Sequence, residues 1–143
     1  MKLTFSVALE ELKKEEGFSN KIYKCPAGKN TIGFGRNLDD VGITKEEAEY
    51  LLKNDIMKCD RELSELIPFY DKLNPARQYV ILSMCFNLGF SGLLKFKKML
   101  KAVREEDFTK ASIEMLDSKW AYQVKSRALK LSVIMKTGEM FND

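Results

Sequence analysis

The stretch 79–89, YVILSMCFNLG, is apolar nearly all round. A helix that is apolar on every side has to be enclosed by other elements, so this segment demands a multi-helix body with itself at the centre. Its ends are punctuated: Asn74 and Pro75 supply a cap and a first-turn proline, and Gly89 stops it. Three further helical patterns, near 95–103, 107–118 and 123–136, are available to enclose it. In the last, Val124, Ala128, Leu131 and Met135 form the apolar stripe, and Gly138 closes it. A chain of 143 residues can support one domain with a moderate core, and 45% hydrophobic with 31% charged residues is a globular composition.

The first third of the chain has a different character. Phe5, Leu9 and Leu12 recur at helical spacing and predict a helix over 5–16, with Glu16 continuing the stripe and Gly17 ending it. Residues 18–36 then carry the one β signal in the chain. Ile22 and Tyr23, then Thr31, Ile32 and Phe34, are strand formers around the turn segment CPAGKN. Gly33 and Gly35 keep the second strand thin. Thr44 and Glu47 make a capping box, which opens a long helix whose stripe runs Ala48, Leu51, Leu52, Ile56, Cys59, Leu63, Leu66 and Ile67, before Pro68. A helix of that length often connects two lobes. The expected class is α+β, mainly helical. A small β lobe spans about 17–45, a connecting helix about 44–67, and a helical lobe about 68–143 together with the N-terminal helix 5–16. A cleft between two lobes is a common place for a ligand.

Charge and cysteine content narrow the function. The net charge is only +3, but residues 95–136 hold 11 Lys/Arg against 5 Asp/Glu, which suits either a solvated helical face or an anionic polymer. Cys25, Cys59 and Cys85 are far apart, and the chain has no histidine. A structural zinc site and a disulfide framework are both excluded by that pattern, and free thiols in a reducing compartment are expected. Cys59 and Cys85 fall on apolar stripes and read as small core residues. The N-terminal run LTFSVAL is too short and too interrupted for a signal peptide or membrane anchor, so a cytosolic chain is expected.

Few residues are left for chemistry. A carboxyl such as Glu16 in an apolar stripe is raised in pKa and suits a general acid; the alternative is a helix-end carboxylate that bends back to water. Arg127 flanks the last helical stripe and is either its ion-pair partner or a surface arginine. Gly33-Phe34-Gly35 lacks the lysine and spacing of a phosphate loop. Without histidine, Cys25 has no imidazole base and cannot work as a protease-type nucleophile.

Glu16, an eight-residue gap, Cys25, a five-residue gap, then Thr31 and IGFGR, resembles the phage-type lysozymes of glycoside hydrolase family 24. The resemblance continues through GITKEEAEYLL, LNPARQYVILSMCFNLGFSGLLKF and SKWAYQVKSRALKLSVIMKTGE, in the same order, over nearly the whole chain. It implies a lysozyme-like two-lobe fold and cleavage of the β-1,4 bond between N-acetylmuramic acid and N-acetylglucosamine in peptidoglycan. By position, Glu16 is then the general acid, Thr31 helps hold the attacking water, and Cys25 takes a place more often filled by aspartate. Asn37, Phe86 and Asn87 match substrate-binding positions. Arg127 matches the arginine that pairs with the catalytic glutamate. Arg36 replaces a histidine of the family and Asp55 matches that histidine's acidic partner, so an ion pair between them is expected. The segment 37–44 is shorter than in relatives by about one short helix.

Cys25 is the main departure. A thiol titrates near 8.5 and an aspartate near 3.9, so it needs tuning to act as an anion at neutral pH. Lys24 and Lys29 are close enough in sequence to supply it. Otherwise the thiol only fills its pocket. The resemblance implies an endolysin that needs no cofactor and no metal, acts as a monomer on peptidoglycan and not on nucleic acid, and reaches the wall after a holin opens the inner membrane. Two alternatives stay open: a lytic transglycosylase, which also needs one glutamate, and a non-catalytic wall-binding module that uses the basic lobe.

Overall fold

The computed structural model describes residues 2–141. In chain order the described residues form α1 (Lys2–Glu16), β1 (Ser19–Lys24), β2 (Asn30–Gly33), β3 (Arg36–Asn37), α2 (Lys45–Leu66), a 3₁₀ turn (Tyr70–Lys72), α3 (Pro75–Leu88), α4 (Phe90–Leu94), α5 (Lys97–Arg104), α6 (Phe108–Leu116), α7 (Lys119–Val124) and α8 (Ser126–Thr137). The fold is α+β and mainly helical. It divides into two compact units, one ending at Leu51 and one beginning at Leu52, so the boundary falls inside α2.

In the first unit α1 stops where the sequence says it should. Gly17 takes φ 68° and its amide donates back to Lys13 O at 3.0 Å. The three strands follow in the order β1-β2-β3, all antiparallel. The β1–β2 turn is closed by Gly28 N–H to Cys25 O (2.8 Å) and Cys25 N–H to Lys29 O (3.0 Å). The sequence predicts one hairpin; the structure has a second. Gly33 and Gly35, at φ 71° and 78°, reverse the chain so that Arg36 and Asn37 pair back onto Ile32 and Thr31. The shortened segment that follows is a self-closed turn. Asn37 O accepts from Val41 N–H at 3.0 Å, and Asp39 accepts from the amide and side chain of Asn30 at 2.8 and 3.2 Å. Among the described residues of this unit, Thr31 alone is buried.

The second unit holds the apolar core. Val80, Ile81 and Met84 of α3 are 0% exposed. Around them pack Leu63 from α2, Leu93 from α4, Met99 and Val103 from α5, Met115 from α6, and Leu131, Ile134 and Met135 from α8. Four of these are methionines, whose flexible thioethers fill irregular gaps between short helices. Asn74 caps α3 by accepting from Arg77 N–H at 3.0 Å, with Pro75 at its first position and Gly89 at its end. The enclosure of α3 is less complete than its sequence predicts: Tyr79 and Phe86 are 44% and 43% exposed.

Two expectations need correction. The pattern over 123–136 predicts one helix, but Lys125, at φ 43° and ψ −106°, breaks it into α7 and α8. The α2 stripe is core only in its last part. Leu63 and Ile67 are buried, Cys59 is half-buried, and Leu51, Leu52 and Ile56 are exposed.

Leu63→Ala is therefore expected to lower stability by about 2–5 kcal/mol, as for a large-to-small change in a packed core. Leu52→Ala, on the same helix, should stay within about 0.5 kcal/mol of the parent in urea melts. Equal losses at the two positions would contradict this division of α2.

Candidate active site

Glu16 is the last residue of α1, and it is exposed. The apolar flank predicted around it is absent from its own unit, where Phe5, Leu9 and Leu12 are 67%, 46% and 51% exposed. Its neighbour is the second hairpin instead. A methyl group built on Gly35 would lie 2.5 Å from Glu16 Oε2 and 2.8 Å from its Cδ, so the carboxyl rests against bare backbone.

Cys25 lies immediately after β1, at the mouth of the β1–β2 turn, half-buried. Its thiol titrates below the ordinary thiol value. The largest cause is the backbone amide of Lys29, helped by the amide of Ala27 and the side chain of Thr31, and these outweigh the opposing effect of burial. From the sequence the ammonium groups of Lys24 and Lys29 are candidates for this tuning, with a thiol that only fills its pocket as the alternative. The structure assigns it to amides that a tight turn aims at one sulfur, an anion-binding arrangement that needs no lysine head group. The Lys29 ammonium is engaged with Asp40 at 3.2 Å.

Thr31 sits in the middle strand, paired with Tyr23 on one side and Asn37 on the other. It is 3% exposed, and its hydroxyl donates to Lys29 O at 3.0 Å. Cys25 and Thr31 are thus brought together by the sheet: a sulfur whose titration is lowered by nearby amides, beside a hydroxyl fixed in direction. That pair can accept from and orient a small polar molecule such as water.

Asn37 is occupied locally. Its amide nitrogen donates to Asp40 Oδ2 at 3.0 Å and its oxygen accepts from Asp40 N–H at 2.9 Å. Arg36 forks onto Glu47 at 2.8 and 2.6 Å and also donates to Gly42 O at 3.0 Å. The acidic partner that the sequence reading gave to Arg36 was Asp55; the structure supplies Glu47, earlier on the same helix. Glu47 also closes the capping box, accepting from Thr44 N–H at 2.9 Å while its own N–H donates to Thr44 Oγ1 at 3.1 Å. The Arg36 guanidinium, first of all, and the Thr44 amide hold the Glu47 carboxyl at about 2. The capping box was visible in the sequence; its second use as the anchor for Arg36 was not.

In the second unit Asn87 Oδ1 accepts from Trp120 Nε1 at 2.8 Å, which fixes the side-chain amide at the end of α3. Trp120 itself is buried and packs edge-on against Phe96, with ring centroids 5.9 Å apart. Phe86, one residue earlier, leaves its ring exposed. Arg127, in the first turn of α8, donates to the buried Ser83 Oγ at 2.9 Å. Trp120 and Ser83 were not singled out from the sequence. The signal for Ser83 was only one hydroxyl in an apolar helix, and for Trp120 only the single tryptophan of the chain.

The phage lysozyme family model matches residues 13–133, and the chain belongs to that family. The pre-baseplate central spike protein Gp5 of Enterobacteria phage T4 is 30% identical over 159 residues, covering 92% of this chain and 28% of the spike protein. Probable T4-type lysozyme 1 of Dictyostelium discoideum is 27% identical, with 90% of this chain and 93% of the relative covered. An endolysin of Acyrthosiphon pisum secondary endosymbiont phage 1 is 33% identical over 114 residues, covering 77% and 74%. The chain thus spans little more than a quarter of the spike protein but nearly all of the Dictyostelium lysozyme.

Two outcomes follow from the titration states. Iodoacetamide should label Cys25 with a pH midpoint below that of an ordinary thiol. Cys85, which is buried and pushed up to about 12, should label only after denaturation. Peptide mass spectrometry separates the two, and equal rates would contradict the structure. Glu47 titrates lower in the folded chain than its ordinary 4.5, so its contribution to stability is full above that value and lost as the pH falls through about 2. Amide exchange in β2 and β3 should therefore accelerate in that acid range, and Glu47→Gln should abolish this dependence.

Proposed function

We propose that the protein is a muramidase that hydrolyses the β-1,4 bond between N-acetylmuramic acid and N-acetylglucosamine in bacterial peptidoglycan. One observation carries the reading: an amide-held thiol beside a buried, oriented hydroxyl, at the two positions that the family gives to water handling. Glu16 donates its proton to the glycosidic oxygen as that bond to the anomeric carbon breaks. A water held by Thr31 and the Cys25 thiolate attacks the same carbon, and its proton passes to the sulfur. Attack by water from the opposite face inverts the anomeric centre. Exposed Phe86 and the anchored amide of Asn87 offer a stacking face and a hydrogen-bonding group to the sugar. The chain acts as one lysozyme-like functional domain, as a monomer, without metal or cofactor.

The biological setting we propose is host lysis, with access to the wall through membrane lesions made by a holin. The endolysin relative supports this. The similarity to a phage spike protein favours a second setting, a wall-cutting part of a virion. Expression of the chain alone decides between free lysis and lysis that needs a membrane lesion.

Glu16→Gln should keep the fold and lose nearly all activity on purified cell walls, whereas Glu15→Gln should have little effect. Thr31→Val should lower kcat more than Tm, since only the hydroxyl is lost. Cys25→Ser should lose rate around neutral pH and Cys25→Asp should keep it. Mass spectrometry of the products should show reducing ends; anhydro ends would replace hydrolysis by transglycosylation. No turbidity loss on purified walls would leave only a binding module.

A further inference from the structure

Seven described glycines adopt positive φ, and what a side chain would meet differs sharply among them. At Gly17, Gly28, Gly33, Gly42 and Gly89 an added Cβ has nothing within 4 Å. At Gly138 it meets the end of Arg77 and the Asn74 amide at 3.0–3.1 Å. At Gly35 it runs into Glu16: Oε2 at 2.5 Å, Cδ at 2.8 Å and Cγ at 3.1 Å. Among the described residues, Gly35 is thus the one glycine whose missing side chain makes room for a carboxylate.

Both sides of this contact are tied down. Gly17 ends α1 directly after Glu16, and Phe18, the next residue, packs on Phe34 with ring centroids 5.4 Å apart. Ser19 pairs with Gly33, and Ile32 pairs with Arg36, whose guanidinium is forked on Glu47. The residues before and after Gly35 are therefore fixed to the strand of β1 and to α2. Within this unit, among the described residues, no hydrogen bond or ion pair holds the Glu16 carboxyl. Its position is set by what it lies against.

We propose that Gly35 is a positioning residue for the acid: its bare backbone is the seat of the Glu16 carboxyl, and any side chain there pushes that carboxyl away from the glycosidic oxygen. The inference rests on Glu16 being the proton donor. Ordinary contact with a methyl group begins near 3.4 Å, so the carboxyl would have to retreat by about an ångström. A misplacement of about 1 Å at a reacting group can lower the rate by about a hundredfold.

Gly33 provides the control. Its φ of 71° matches the 78° of Gly35, so alanine strains the backbone equally at both, but at Gly33 it meets nothing. Kinetics on soluble peptidoglycan fragments should give Gly35→Ala a kcat about a hundredfold lower with KM nearly unchanged. Gly33→Ala should lose only a few-fold. The two variants should lose Tm about equally, because the exposed Glu16 side chain swings aside at little cost, whereas the Glu16 carboxyl carbon resonance should move in Gly35→Ala and stay in place in Gly33→Ala. An unmoved Glu16 resonance in Gly35→Ala overturns the contact. Equal kcat losses at positions 33 and 35, with Glu16→Gln inactive, would overturn the positioning role. Full activity of Glu16→Gln would instead remove the proton-donor reading, while the resonance comparison would still judge the contact.

Discussion

The first unit depends on the Arg36–Glu47 fork. That unit has no buried apolar side chain among its described residues, so its shape rests on polar contacts and on the sheet. The fork ties β3 to α2, and it draws in the Thr44 cap and the Gly42 carbonyl as well. A planar guanidinium on a carboxylate fixes direction as well as distance, which a lysine could not do. Arg36 is the immediate neighbour of Gly35, so the residue that anchors the hairpin to α2 also fixes the backbone against which Glu16 rests.

The second unit works by the opposite principle. There burial does the positioning, and the polar atoms that matter are held by partners inside the core. Asn87 is aimed by the indole of a buried tryptophan, and Arg127 by the hydroxyl of a buried serine. Each is a long or rotatable side chain on the unit's surface with one fixed point beneath it. Such anchoring reduces the rotamer freedom of each side chain.

Much of this was legible in the sequence because it depends on local chemistry. Gly17, the Thr44–Glu47 box, Asn74-Pro75, Gly89 and Gly138 each mark an element end through backbone rules that act over four residues. What was not legible depends on where a turn points. The third strand exists because two glycines with positive φ allow the chain to double back after Ile32, and two-residue strands leave no periodicity to read. The break at Lys125 puts a non-glycine residue in a conformation that no local signal announces. The candidates for tuning Cys25 were charged neighbours, which a sequence displays, whereas the structure uses amides, which every residue carries. Arg36 was given its partner by analogy with a histidine; a longer, forked side chain reaches a different carboxylate.

The contrast between a unit with an apolar core and one without has a thermodynamic consequence. Apolar burial carries a large heat capacity and is little affected by ionic strength, while exposed ion pairs are screened by salt and contribute almost no heat capacity. The two units therefore answer to different variables. Raising the salt concentration is expected to weaken the fork that anchors the hairpin while leaving the apolar core of the helical unit intact.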